Sequence, residues 1–122
     1  MLILFPVVSS VYGQQEGDTV EVSRKVMYGI ASYYADKFNG RPTANGEIYD
    51  GKKMTAACNR LPLGTWIKVT NLSNNRSVIV KTNDRMHPRM TRIVDLSRAA
   101  AEYLGFIRKG LTKVKVEVLE AR

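Results

Sequence analysis

The sequence predicts a mostly β domain, a small barrel or sandwich with one short helix crossing between strands. Three observations carry that expectation. Several short β-branched or aromatic segments are separated by turn residues, the last of them alternates strictly between apolar and charged side chains, and one alanine-rich run has helix caps at both ends. At 122 residues the chain holds one domain. A domain of this size buries roughly two thirds of its unfolded surface, enough for a modest core without disulfides.

Taken in order, "MLILFPVVSSVYG" has an apolar run followed by small residues, so residues 1–13 read as the remnant of a secretory signal, with cleavage before Gln14. The run is too short to span a bilayer. Residues 14–25 are polar without period and read as a flexible lead-in, leaving 26–120 as the domain. "VMYGIASYY" (Val26 to Tyr34) is a strand in which Gly29 marks a bend or bulge. "WIKVTN" and "RSVIVKTN" flank "LSNN", a hairpin turn in which asparagine tolerates the left-handed backbone. "DLSRAAAEYLG" is the helix, with Ser97 as N-cap, Gly105 as stop, and Ala100, Ala101 and Leu104 as its packing stripe. "TKVKVEVLE" closes the domain, with Val114, Val116 and Val118 facing inward.

Composition narrows the function classes. Nineteen Lys and Arg against eleven Asp and Glu give +8, which favours an anionic partner. The basic residues are scattered and form no run longer than two, so nucleic acid is not the expected partner, and an anionic glycan or a membrane surface fits. The single cysteine, Cys58, rules out an internal disulfide, and with one histidine it is too few for the usual three or four protein ligands of a zinc site. No metal and no cofactor is expected, and the chain reads as a monomer without a stable membrane span. A thiol nucleophile is disfavoured, because the sole histidine, His87, lies 29 residues from Cys58 in another loop and itself reads as an exposed side chain.

Two polar loops are left for chemistry. "FNGRPTANGEIYDGKKMTAAC" is a long segment with little regular structure, and "TNDRMHPRMTR" follows an apolar strand, so that Asp84 projects from a strand terminus into a crevice. Two carboxylates on separate loops, Glu47 and Asp84, suit cleavage of a glycosidic bond, one acid protonating the leaving oxygen. The alternative is an Asp84–Arg85 loop salt bridge with Glu47 facing water. Thr43, Asn45, Asn83 and Arg85 are the expected substrate contacts, being small polar or cationic groups in loops. Tyr33 and Tyr34 divide evenly between sugar stacking and core packing, while Trp66 reads as core.

The segments "GIASYYADKFNGRPTANGEIYD", "MTAACNRLPLGTWIKVTNLSNNRSVIVKTNDR" and "RIVDLSRAAAEYLGF" together resemble the rare lipoprotein A family of septal-ring lytic transglycosylases, in register from Tyr28 to Leu119, about three quarters of the chain. The resemblance implies a six-stranded double-psi β-barrel with one short crossover helix. It further implies endolytic, non-hydrolytic cleavage of the MurNAc-GlcNAc β-1,4 bond of peptidoglycan, leaving 1,6-anhydro-MurNAc ends, with a preference for denuded glycan strands and a part in daughter-cell separation. The implied setting is the periplasm or cell envelope; the lipid anchor that the family's name implies is not expected here, since no lipobox cysteine stands near residues 1–13. Carried over by position, the family's glutamate falls on Glu47 and its essential aspartate on Asp84. Its histidine falls on Cys58, whose thiol cannot carry a proton as an imidazole does near neutral pH.

Overall fold

The computed structural model of the protein describes residues 20–121, so the expected signal segment at 1–13 lies outside the described residues. Six strands and one helix follow in the order β1 (Val20–Tyr33), β2 (Thr55–Ala57), β3 (Trp66–Asn71), β4 (Ser77–Asp84), β5 (Val94–Leu96), α1 (Arg98–Leu104) and β6 (Thr112–Ala121). They close into one barrel in the order β1-β5-β2-β4-β3-β6. Two pairs, β1 with β5 and β2 with β4, run parallel; the other pairings are antiparallel. Closure leaves no strand edge unpaired around the ring.

Inward alternation fills the barrel. Ile67 and Val69 of β3, Val80 of β4, Val94 and Leu96 of β5, and Val114 and Val116 of β6 are all fully buried. Each contributes roughly 1.5–3 kcal/mol by leaving water. The helix buries Ala100, Ala101 and Leu104, the expected stripe, in the same core. Its caps are as the sequence predicts: the Ser97 hydroxyl accepts from the Ala100 N–H at 3.3 Å, and Gly105 takes the left-handed φ of 79°.

Asn71, at the end of β3, ties the helix to the sheet. Its amide nitrogen donates to the Leu104 carbonyl at 2.8 Å, and its oxygen accepts from the Thr112 hydroxyl at 2.8 Å and the Ser73 N–H at 2.9 Å. A buried amide satisfied on both sides fixes the β3–β4 hairpin, in which Asn75 has φ 65°, against the end of α1.

Three expectations are revised. Strand β1 begins at Val20, pairing with Ala121, and so reaches into the stretch read as a flexible lead-in from Gln14 to Lys25. Gly29 is not a bulge: it pairs in register with Val114, and the irregularity falls between Val22 and Val26. The glycine is needed because a Cβ there would lie 2.9 Å from Ile93 Cβ. Trp66 is not core but 49% exposed, because β3 buries Ile67 and Val69 and alternation turns Trp66 outward.

Candidate functional site

Asp84 is the last residue of β4, where the parallel pairing with β2 sets it opposite Ala57. The strand's inward alternation ends there, and the carboxylate emerges into a cleft of about 510 Å³. Tyr34, Phe38, Arg41, Arg85, His87 and Arg92 are among the residues that line this cleft. Three donors converge on the Asp84 carboxylate. Ala44 N–H and Arg85 N–H reach Oδ1 at 2.9 and 2.8 Å, and the Tyr34 hydroxyl reaches Oδ2 at 2.6 Å. Bonds to both oxygens hold the carboxyl group in one orientation.

Tyr34 is itself held in place. Its ring stacks on Tyr49 with centroids 4.1 Å apart, and Phe38 meets it edge-on at 5.9 Å. Burial, followed by the hydrogen bond to Asp84, pushes the phenol well above its ordinary range, so it remains a donor. On the cleft wall Arg92 forms a two-pronged pair with Asp95 at 2.8 and 2.9 Å, which raises the guanidinium further.

The loop between β1 and β2 is more ordered than its composition suggests. Gly40 N–H donates to Tyr49 O and Tyr49 N–H to Arg41 O, a short antiparallel ladder closed by the turn Thr43–Gly46. Gly46 has φ 91°, which a residue with a Cβ would adopt only at a cost. Thr43 and Asn45 build this turn: the Thr43 hydroxyl donates to Asn45 Oδ1 at 2.7 Å, and Asn45 Oδ1 also accepts from Glu47 N–H at 3.0 Å. Their side chains are spent on the loop that delivers Ala44 N–H to Asp84. Neither lines the cleft.

Glu47 and Asp84 are brought near but not into contact. Glu47 lines a second concavity of about 580 Å³, together with Trp66, Lys81 and Asn83. Adjacent residues of β4 serve the two hollows, Asn83 the second and Asp84 the first. Asn83 Nδ2 donates to Glu47 Oε1 at 2.9 Å; that bond, with help from Asn45, Lys81 and Lys53, holds the Glu47 carboxyl below its ordinary 4.5. Glu47 is therefore ionised at neutral pH and acts as an acceptor.

The remaining expected residues divide. Arg85 lines the cleft, but its guanidinium donates to the Cys58 carbonyl at 2.7 Å rather than pairing with Asp84, so the loop salt bridge is not formed. Tyr33 lines the cleft with its hydroxyl anchored on Ile107 O at 2.8 Å. Cys58 N–H donates to Asp84 O at 3.0 Å, yet its side chain is 0% exposed within the core cluster. His87 is exposed as expected and also lines the cleft, with Nδ1 accepting from Arg89 N–H at 3.0 Å. In the neutral ring the proton then sits on Nε2. Sequence reasoning missed Ala44 and Tyr49, a backbone donor and a stacking partner that no residue type advertises. Trp66, read as core, faces outward by the parity of β3.

Among the described residues no cluster of His, Cys, Asp and Glu could hold a metal ion, and no helix is long and apolar enough to cross a membrane. The closed barrel and its parallel strand pairs define a double-psi β-barrel, with the Asp84 cleft at the end of β4. Two solved structures share the fold: the Streptomyces papain inhibitor, with a TM-score of 0.64 at 24% identity over 78% of this chain and 94% of that one, and a Clavibacter michiganensis expansin mutant in complex with cellohexaose, with 0.62 at 19% over 77% and 50%. The family model described as lytic transglycolase matches residues 26–116. The chain belongs to that family. The endolytic peptidoglycan transglycosylase RlpA of Haemophilus influenzae is 46% identical over 99 residues, covering 81% of this chain and 34% of that protein. Its namesake in Pseudomonas aeruginosa is 51% identical over 94 residues, covering 77% and 28%. The chain thus spans about a third of the length of these relatives.

Proposed function

We propose that this domain is an endolytic peptidoglycan lytic transglycosylase that cleaves the MurNAc-GlcNAc β-1,4 bond without water. The single observation that carries the reading is Asp84, fixed by three donors at the end of β4 over an open cleft. In its acid form Asp84 gives a proton to the glycosidic oxygen as the C1–O bond breaks, releasing the GlcNAc-terminated product. The MurNAc C6 oxygen then bonds to C1 and returns its proton to Asp84, which closes the 1,6-anhydro ring and restores the acid. Atoms and charge balance with one carboxyl group and no bound cofactor. Ionised Glu47, hydrogen-bonded to the Asn83 side chain that precedes Asp84, accepts hydrogen bonds from substrate hydroxyls.

The names and identities of the relatives support the reaction class, and the chemistry supports the setting. Peptidoglycan lies outside the cytoplasm, which fits an exported protein of the periplasm or cell envelope. A net charge of +8 suits denuded glycan strands, whose lactyl carboxylates are exposed, and this is the substrate we assign, in wall remodelling during daughter-cell separation. Purified protein incubated with denuded strands should release anhydro-ended fragments detectable by mass spectrometry. A second reading is favoured by one observation, the burial of Cys58 where the family resemblance places an imidazole: a catalytically impaired peptidoglycan-binding module. That module would retain strands in a pull-down and release no anhydro product.

A further inference from the structure

We propose that the concavity at Trp66 is a second sugar subsite, which takes the neutral N-acetylglucosamine on one side of the scissile bond while the carboxylated N-acetylmuramic acid occupies the Asp84 cleft. The inference rests on the glycan-cleaving function above and adds the direction in which the strand lies.

Exposure is the first observation. Trp66, Ile48 and Met54 line this hollow at 49%, 57% and 40% exposure. Three large apolar side chains around one concavity gain nothing from water, and an indole face matches the C–H face of a pyranose. The volume, about 580 Å³, lies within the usual range for small-ligand sites.

Polar groups are the second. Glu47, kept ionised by the Asn83 amide, presents a carboxylate to this hollow, and only Oε1 is engaged by that amide. A carboxylate accepts from sugar hydroxyls and from an acetamido N–H alike. Charge decides which sugar. Here Glu47 and Asp50 stand against Lys53 and Lys81, so the formal charges cancel. Around the Asp84 cleft Arg41, Arg85 and Arg92 outnumber Asp84 and Asp95 by one. A lactyl carboxylate is therefore better accommodated in the cleft, and a neutral sugar at Trp66. Asn83 lines this hollow and its neighbour Asp84 the cleft, so a strand occupying both would carry its bridging oxygen past the Asp84 carboxylate.

Because Trp66 is the chain's single tryptophan, its fluorescence reports on this hollow alone. Titration of the protein with tetra-N-acetylchitotetraose, a neutral oligosaccharide, should give a saturable change in emission. Trp66→Ala should weaken the calorimetric affinity for the same sugar at least tenfold. It should also raise KM on denuded strands with little change in kcat, with circular dichroism and melting unaltered. Calorimetric binding with silent fluorescence, or unaltered affinity in Trp66→Ala, overturns the subsite. So does absence of binding in a protein that still releases anhydro products, and that result leaves the transglycosylase reading standing. Absence of both binding and products overturns the two together.

Discussion

Tyr34→Phe removes one hydroxyl and nothing else. The ring keeps its stack on Tyr49 and its edge contact with Phe38, so the lost quantity is the 2.6 Å bond to Asp84 Oδ2. A side-chain hydrogen bond contributes about 0.5–1.5 kcal/mol net. For a domain of this size that corresponds to a fall in Tm of roughly 2–10 °C. The two other donors both address Oδ1, so Oδ2 is left without a tether and the carboxylate can turn. We expect anhydro-product formation to drop about tenfold in kcat, with KM unchanged, because the interaction acts on the reacting group rather than on ground-state binding. The matched control is Tyr49→Phe, whose hydroxyl accepts from Arg98 N–H at 3.2 Å, away from Asp84. It should melt slightly lower and turn over normally. A Tyr34→Phe protein with wild-type melting and wild-type turnover would refute the claim that Tyr34 positions Asp84.

Three further outcomes follow from the same structure. Asn71→Ala removes three hydrogen bonds, two of them buried, at the junction of β3, α1 and β6, and should cost about 3 kcal/mol in urea denaturation at unchanged m-value, since each stranded polar group costs about 1–3. Cys58, fully enclosed by the core, should resist alkylation in the native state and react fully after denaturation; rapid native labelling accompanied by loss of activity would revive a thiol mechanism. Glu47 has a folded pKa below 4.5, so the stability it adds is present above about pH 4.5 and is lost as pH falls through its lowered folded value. Carboxyl NMR titration should give that low midpoint, and Asn83→Ala should move it upward.

The long-range strands explain what the sequence could and could not reveal. β3, β4, α1 and β6 are legible because each carries a local signal: alternation, a turn that accepts Asn75 at φ 65°, or Ser97 and Gly105 at the helix ends. β2 and β5 have three residues each, too few to display a period, and exist only because partners distant in sequence pair with them. Six strands and barrel closure were expected from the family resemblance and not from the pattern. At the site, Asp84 was legible because an apolar strand visibly ends in a polar cluster. Thr43 and Asn45 looked free because loop residues have few packing duties; backbone geometry instead recruits them into the turn that presents Ala44 N–H. Trp66 reads as core from its alternating strand, but alternation alone does not say which parity faces inward, and the burial of Ile67 and Val69 turns Trp66 out.

Asp84→Asn is the most direct test of the central claim. The amide keeps the size of the side chain and can still accept from Ala44 and Arg85 N–H, so the barrel should remain folded, while the proton donor is gone. Mass spectrometry of denuded glycan strands should show 1,6-anhydro-MurNAc ends with the wild-type protein and about a hundred- to ten-thousandfold fewer with Asp84→Asn. Equal amounts of anhydro product from the two proteins would contradict the account.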